Sequence, residues 1–134
     1  MSIRSYRDLR VWRKGVYLAV TCYRLRSGFP RQEVYGLVGQ IRRAAVSVPA
    51  NIAEGHGREH LGDYLRFLSA AKGSLMELET HVIIAERLEY LSPAEAEQAL
   101  SVAADIGRML SGLIARLKSR SERTSPTGRR TPST

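Results

Sequence analysis

The feature that most constrains the fold is the spacing of apolar residues between positions 37 and 58. Leu37, Ile41, Ala44, Val48 and Ile52 recur at steps of three and four. This spacing predicts a helix with one narrow apolar side that faces a core. Pro49 removes the helical hydrogen bond to the carbonyl of Ala45. Because the spacing continues in phase beyond it, we predict a kink inside one helix that runs from about Glu33 to Gly55.

A second side of the same helix is polar and built mostly of short residues. It carries Gln40, Arg43, Ser47, Asn51 and Glu54. Short polar side chains suit a crowded seam between helices better than a ligand site. We therefore predict a structural polar network of Arg42, Arg43, Asn51, Glu54 and Glu77. In this network Glu77 is partly buried and pairs with Arg42 or Arg43, because an unpaired carboxylate beside a core is costly.

Three further helices follow from local signals. Ser5 and Asp8 form a capping box before the first helix, whose predicted core residues are Leu9, Trp12, Val16, Ala19 and Tyr23. The third helix has a seven-residue apolar repeat of Tyr64, Leu68, Ala71, Leu75, Leu78, Val82 and Ala85. Ser92 and Pro93 begin the fourth helix as N-cap and first residue.

The fourth helix carries two parallel apolar stripes. One runs from Ala96 to Leu117, and the other comprises Ala99, Val102, Ile106, Met109 and Leu113. This arc is wider than one core needs, and it predicts contact with a neighbouring subunit. Four amphipathic helices with short links predict an all-α domain over 1–118, an antiparallel up-and-down four-helix bundle. Residues 119–134 are rich in Ser, Thr, Pro and Arg, which predicts a disordered basic tail.

Several features that the sequence lacks limit the cellular compartment and the chemistry that we expect of the protein. Cys22 is the single cysteine, so no intrachain disulfide can form. No apolar stretch approaches a membrane span, and the N-terminus lacks a signal-peptide core, so we expect a cytoplasmic protein without membrane contact. No Glu-x-x-His pair, phosphate-binding loop or serine-nucleophile motif occurs. The arrangements nearest to a metal-binding pair are Glu77 with His81 and Glu54 with His56. We expect no metal, no cofactor and no enzymatic activity.

The charge is distributed unevenly along the chain. Residues 1–43 hold ten Arg and Lys against two acids, residues 44–117 six against ten, and residues 118–134 five against one. On the first helix a polar ridge opposite the predicted core comprises Arg7, Arg10, Lys14, Tyr17, Thr21 and Arg24, with Arg13 adjoining. Two interpretations remain open for this ridge, a solvated helix face or a nucleic-acid contact surface.

The motifs Gln40-Ile41-Arg42-Arg43, Pro49 to Gly55 and Gly73 to Glu79 together resemble those of the four-helix-bundle protein family, also called the ribosomal-RNA intervening-sequence protein family. The resemblance covers about residues 6–118. It implies an up-and-down bundle that assembles as a ring-like homopentamer. Most members of the family have no assigned activity. The chain also distantly resembles the accessory variability protein of diversity-generating retroelements, a basic pentamer that binds nucleic acid and a reverse transcriptase.

Two functional hypotheses follow. The first is a non-enzymatic oligomer that binds RNA or DNA with little sequence preference through Arg7, Arg10, Arg13, Lys14, Tyr17 and Arg24. The second is a structural or protein-interaction adaptor, for example a partner of a reverse transcriptase, whose ridge only adds solubility.

Overall fold

The computed structural model describes residues 3–25, 28–34 and 36–124, and within these ranges the chain is all-α. Its helices are α1 (Arg10–Tyr23), α2 (Leu37–His56), α3 (Leu61–Arg87) and α4 (Pro93–Thr124). Short 3₁₀ turns at Tyr6–Asp8 and Arg31–Val34 precede α1 and α2. The described residues contain no strand, so the predicted all-α class with four helices is confirmed.

The four helices share one apolar core. Both α1 and α3 contact α2 and α4, which places α1 and α3 at opposite corners of the core. Each helix contributes fully buried side chains, among them Leu18, Ile52, Leu68 and Leu110. The predicted repeat of α3 is buried from Leu68 to Ala85, with Tyr64 half-buried at its start.

The helix α2 continues through Pro49, as its apolar spacing predicts. Pro49 is buried where α2 meets α1, and a Cβ added at Gly15 would lie 3.2 Å from the Pro49 Cβ. The helix starts at Leu37, later than predicted. Glu33 belongs to the preceding 3₁₀ turn, and its Oε1 accepts a hydrogen bond from the Leu37 amide at 2.9 Å.

The side of α1 that faces the core is not the predicted one. The buried residues are Val11, Gly15, Leu18, Thr21 and Cys22. Of the predicted stripe, Leu9, Trp12 and Ala19 are half-buried, and Val16 and Tyr23 are 36% and 47% exposed. The true core face is rotated by roughly 100°, one residue step, from the predicted one. Both faces are apolar, and contact with α2 and α4 selects between them.

The helix α4 begins as predicted and ends later than predicted. The Glu95 amide donates to Ser92 Oγ at 3.1 Å, and the Ser92 amide donates to Glu95 Oε1 at 3.0 Å. Residues 119–124, assigned to the disordered tail from sequence, are helical. The remainder of the predicted tail, 125–134, lies outside the described residues.

Both apolar stripes of α4 pack against the core of the same chain. Ala99, Ala103, Ile106 and Leu110 are buried, and Leu100, Val102, Met109, Leu113 and Ile114 are half-buried. The wide apolar arc of α4 therefore packs inside its own subunit. It gives no support to the prediction that α4 contacts a neighbouring subunit. The large exposed apolar side chains on the described helices belong to α1, α2 and α3.

Candidate nucleic-acid interface

The six residues predicted to contact nucleic acid lie along α1 and at its two ends. Arg7 is in the preceding 3₁₀ turn, Arg10, Arg13, Lys14 and Tyr17 are on the helix, and Arg24 follows its last residue. All are exposed except Lys14, which is partly covered. Arg10, Tyr17 and Arg24 are seven residues apart, and this spacing places them about 10 Å from one another along one side of the helix. Thr21, assigned to the same ridge, is a core residue with 8% exposure.

The 3₁₀ turn before α1 holds the side chain of Arg13 in place. The Arg7 amide donates to Ser5 Oγ at 3.1 Å, and Asp8 Oδ2 accepts from the amides of Arg4 at 2.8 Å and Ser5 at 3.3 Å. The hydrogen bonds from the Arg4 and Ser5 amides, followed by the charge of Arg13, lower the pKa of Asp8 from its ordinary value. Arg13 Nε donates to the Arg7 carbonyl at 2.9 Å, and its Nη2 lies 3.9 Å from Asp8. The start of α1 thus positions the Arg13 guanidinium.

The helix α4 adds charged residues to this surface that sequence reasoning missed. Lys14 Nζ lies 3.3 Å from Asp105 Oδ2, and Arg108 pairs with the same carboxylate. The shared carboxylate orients both cations and neutralises part of their charge. The spacing of Asp105 and Arg108, three residues apart, is visible in the sequence, but their proximity to Lys14 depends on the packing of α4 against α1.

A groove of about 620 Å³ runs between the two helices. Its α1 side is formed by Arg10, Arg13, Lys14 and Tyr17, and its α4 side by the half-buried Val102 and Met109. We call this the α1–α4 groove. Arg10 also lines an adjoining depression with Arg108 and Arg116, so the basic surface continues from α1 onto α4.

The predicted pairing of Glu77 is wrong. Its side chain is 56% exposed, and its carboxylate lies 3.8 Å from His81 Nε2 on the same helix. Arg42 instead donates from Nη2 to the Tyr23 carbonyl at 3.1 Å and lies over the Tyr23 ring at 4.8 Å. Arg43 is exposed. The rotation of α3 points Glu77 outward, so its carboxylate is open to solvent and does not require a partner from α2.

The other members of the predicted polar network make separate local contacts. The Ser47 and Ser74 hydroxyls share a hydrogen bond of 2.8 Å across α2 and α3. Asn51 Nδ2 donates to the Ser47 carbonyl at 2.8 Å and to its Oγ at 2.9 Å. Glu54 pairs at the surface with Arg58 at 3.3 Å. Short polar side chains do line the α2–α3 seam, but Arg42, Glu54 and Glu77 do not join one network.

Cys22 is buried, and burial raises the pKa of its thiol to about 12, so it stays protonated and poorly nucleophilic near neutral pH. The described residues contain no group of three or more His, Cys, Asp or Glu side chains placed to hold a metal ion. None of the four helices, as far as they are described, is long and apolar enough to cross a membrane.

The fold and this surface define an all-α, four-helix protein with a basic face on α1 and α4. The model of the 23S rRNA-intervening sequence protein family matches residues 7–112, and the chain belongs to this family. The resemblance seen in the sequence motifs is thereby confirmed.

A solved structure shares the fold. It is a protein of unknown function from the S23 ribosomal protein family of Bacteroides thetaiotaomicron, with a TM-score of 0.70 and 24% sequence identity. The similarity covers 78% of this chain and 97% of that one. No curated protein matches the chain. At this identity the likeness concerns the fold, and function has to be argued from the surface.

Proposed function

We propose that the protein is a cytoplasmic, non-enzymatic oligomer that binds RNA or DNA with little sequence preference. The observation that carries this proposal is the row of exposed cations on α1, which Arg108 and Arg116 extend onto α4. Several cations on one face neutralise several phosphates together, and this electrostatic term provides most of the affinity in non-specific binding. Arginines along the outer side of a helix contact phosphates, which carry no sequence information directly.

We further propose an antiparallel up-and-down bundle that assembles as a homopentamer, as the family resemblance implies. Support comes from apolar side chains left exposed at opposite corners of the core. Val16, Val20 and Tyr23 are exposed on α1, and Ile83 and Ile84 on α3. Two different patches on one chain favour head-to-tail contacts, which close into a ring when the rotation allows. Repeated basic surfaces would then bind one strand with increased avidity.

A salt titration of binding tests the nucleic-acid proposal. We expect the affinity for mixed-sequence oligonucleotides, measured by fluorescence anisotropy, to fall steeply as salt rises. The double variant Arg10→Glu with Lys14→Glu should weaken binding strongly at low salt. The matched control is Arg66→Glu with Arg87→Glu on α3, which makes the same change in net charge and also breaks one surface ion pair. Circular dichroism and light scattering verify that each variant keeps its fold and assembly.

The outcome separates specific use of α1 from general charge attraction. Equal losses in the two double variants would mean that only net charge matters and that the α1 surface is not the contact. No salt-sensitive binding by the unaltered protein would reject nucleic-acid binding altogether.

The exposed apolar residues support a second function, that of a protein-interaction adaptor. Met76, Ile83, Ile84 and Leu88 offer large apolar side chains on and just beyond α3. Exposed apolar patches mark protein interaction sites when they are contiguous. A partner of the adaptor, for example a reverse transcriptase as the distant resemblance implies, would bind independently of Arg10 and Lys14. Binding of such a partner that survives the Arg10→Glu and Lys14→Glu changes favours the adaptor.

A further inference from the structure

Tyr17 is the feature of the α1–α4 groove that phosphate binding does not explain. Its side chain is 54% exposed between Arg10, Arg13 and Lys14. Within the described part of the chain, its ring makes no aromatic or cation contact and its hydroxyl no hydrogen bond. Other exposed or half-buried aromatic side chains do have partners. Tyr23 lies under Arg42, and Tyr6 packs against Trp12.

The α4 side of the groove is apolar at Val102 and Met109, and the Asp105 carboxylate, which pairs with Lys14, lies between these two positions on the helix. Val102 and Met109 of α4 are half-buried, and each leaves part of its side chain facing the groove. Cations at the rim and an apolar wall beneath them form an amphipathic site. The groove is a shallow surface depression that is widely open to solvent, so a base can reach it from outside.

An exposed aromatic ring beside cations and apolar side chains suits single-stranded nucleic acid better than a duplex. In a duplex the bases are stacked on one another, so a protein surface can reach the phosphates, the sugars and the base edges in the grooves, but not the flat faces of the bases. In a single strand the flat faces of the bases are accessible, and they stack on exposed aromatic side chains while cations follow the backbone. A thioether and a branched aliphatic group add apolar contact to a base, but they gain nothing from a phosphate.

We propose that the α1–α4 groove is a binding site for single-stranded nucleic acid, in which one base stacks on Tyr17 against the apolar wall of Val102 and Met109. This inference rests on the proposed nucleic-acid function and adds a preference for single strands. Arg10 and Arg13 contact the phosphates flanking that base. Lys14 contributes less, since Asp105 shares its charge.

The test compares one mixed-sequence oligonucleotide, as RNA and as DNA, with the duplex of the same sequence. Binding is measured by fluorescence anisotropy over a range of salt concentrations. We expect the unaltered protein to bind the single strand more tightly than the duplex. Tyr17→Ala should weaken single-strand binding by about 5- to 150-fold, the loss typical of one base–aromatic stack, and leave duplex binding unchanged. Tyr17→Phe should keep the affinity, since stacking needs the ring and not the hydroxyl.

Two controls separate stacking from other effects. Val46→Ala removes an exposed apolar side chain of α2, outside the groove, and should not alter single-strand binding. The salt dependence of Tyr17→Ala should equal that of the unaltered protein, because no phosphate contact is lost, whereas Arg10→Gln should lower it.

Equal affinity for single strand and duplex, with no effect of Tyr17→Ala on either, overturns the inference and leaves the proposed function intact. An equal loss for both forms also overturns it, since Tyr17 would then contact the backbone. Absence of salt-sensitive binding to any of the nucleic acids rejects the proposed function, and the inference fails with it. Selective binding of RNA or of DNA single strands supports the inference and identifies which polymer the site prefers.

Discussion

Asp105 limits the positive charge of the proposed interface. It pairs with Lys14 across the two helices and with Arg108 on its own helix. A carboxylate at this position repels phosphates and occupies two of the cations that would bind them. The proposed interface therefore contains a residue whose removal should improve function.

We expect Asp105→Asn to raise the affinity for nucleic acid at low salt by roughly 2- to 5-fold, the range of one surface charge pair. The amide keeps the size of the side chain and removes its charge. Anisotropy titrations measure the change, which should shrink as salt screens the surface. The control is Asp63→Asn, which removes a carboxylate that pairs with Arg66 on α3. An equal gain in the control would assign the effect to net charge, and a loss of affinity in Asp105→Asn would contradict the proposed contact.

Glu77, which the sequence predicts to be partly buried, is exposed on the outer side of α3. Because its carboxylate is exposed and its neighbour His81 lies at 3.8 Å, its removal should have little effect on stability. We expect Glu77→Ala to change the free energy of unfolding in urea by less than about 0.5 kcal/mol. The adjacent Leu78 is buried, and Leu78→Ala should lower stability by about 2–5 kcal/mol. A loss above about 1 kcal/mol for Glu77→Ala would place this side chain in a buried contact.

At the scale of the helices, the contact between α1 and α2 depends on the pairing of Gly15 with Pro49. A side chain at Gly15 would press on the proline ring, which cannot move away because it is part of α2. Pro49 lies within α2 and packs into the space beside Gly15, where a larger residue would leave no room for its ring. Gly73, on α3, is in a different position, with no atom within 4 Å of an added Cβ.

We expect Gly15→Leu to lower the free energy of unfolding by about 1–3 kcal/mol through overpacking. Gly73→Ala should raise it by about 0.5–1 kcal/mol, because alanine favours a helix and nothing obstructs it. Urea denaturation of both variants provides the comparison. Unchanged stability of Gly15→Leu would show that α1 and α2 can separate at this point, and destabilisation by Gly73→Ala would show that this face of α3 is covered in the assembly.

At the scale of the whole molecule, the position of the apolar surface favours assembly through α1 and α3. The apolar residues of α4 are used inside the subunit, whereas the outer sides of α1 and α3 retain large exposed apolar side chains. One patch on each of two opposite corners provides the two different surfaces that a ring contact requires.

Light scattering at micromolar concentration is expected to give a mass about five times that of the 14.9 kDa chain. Val20→Glu with Ile83→Glu places a charge in each patch and should reduce the mass to that of a monomer. Gln98→Glu, an exposed change on α4, should leave the assembly intact. A monomer mass for the unaltered protein would contradict self-association, and a dimer or tetramer would contradict the number five alone.

The sequence by itself determined the features that depend on residues within one or two helical turns. The N-cap at Ser92, the seven-residue repeat of α3 and the continuation of α2 through Pro49 are present as predicted. The capping box at Ser5 is also present, but it opens the 3₁₀ turn Tyr6–Asp8 and not α1. Caps and repeats depend on neighbours three, four or seven residues away, so the chain encodes them locally. The family motifs could be recognised for a similar reason, since each is a short segment of contiguous residues.

Only the tertiary structure decided which of several suitable faces is buried. The helix α1 has two apolar faces about one residue step apart, and its contacts with α2 and α4 selected the one with Val11 and Leu18. Arg42 meets Tyr23 and not Glu77, and Asp105 meets Lys14, because helices distant in sequence pack side by side. Burial and charge pairing depend on the rotation of each helix against its neighbours, and the periodicity of a single helix does not contain that rotation.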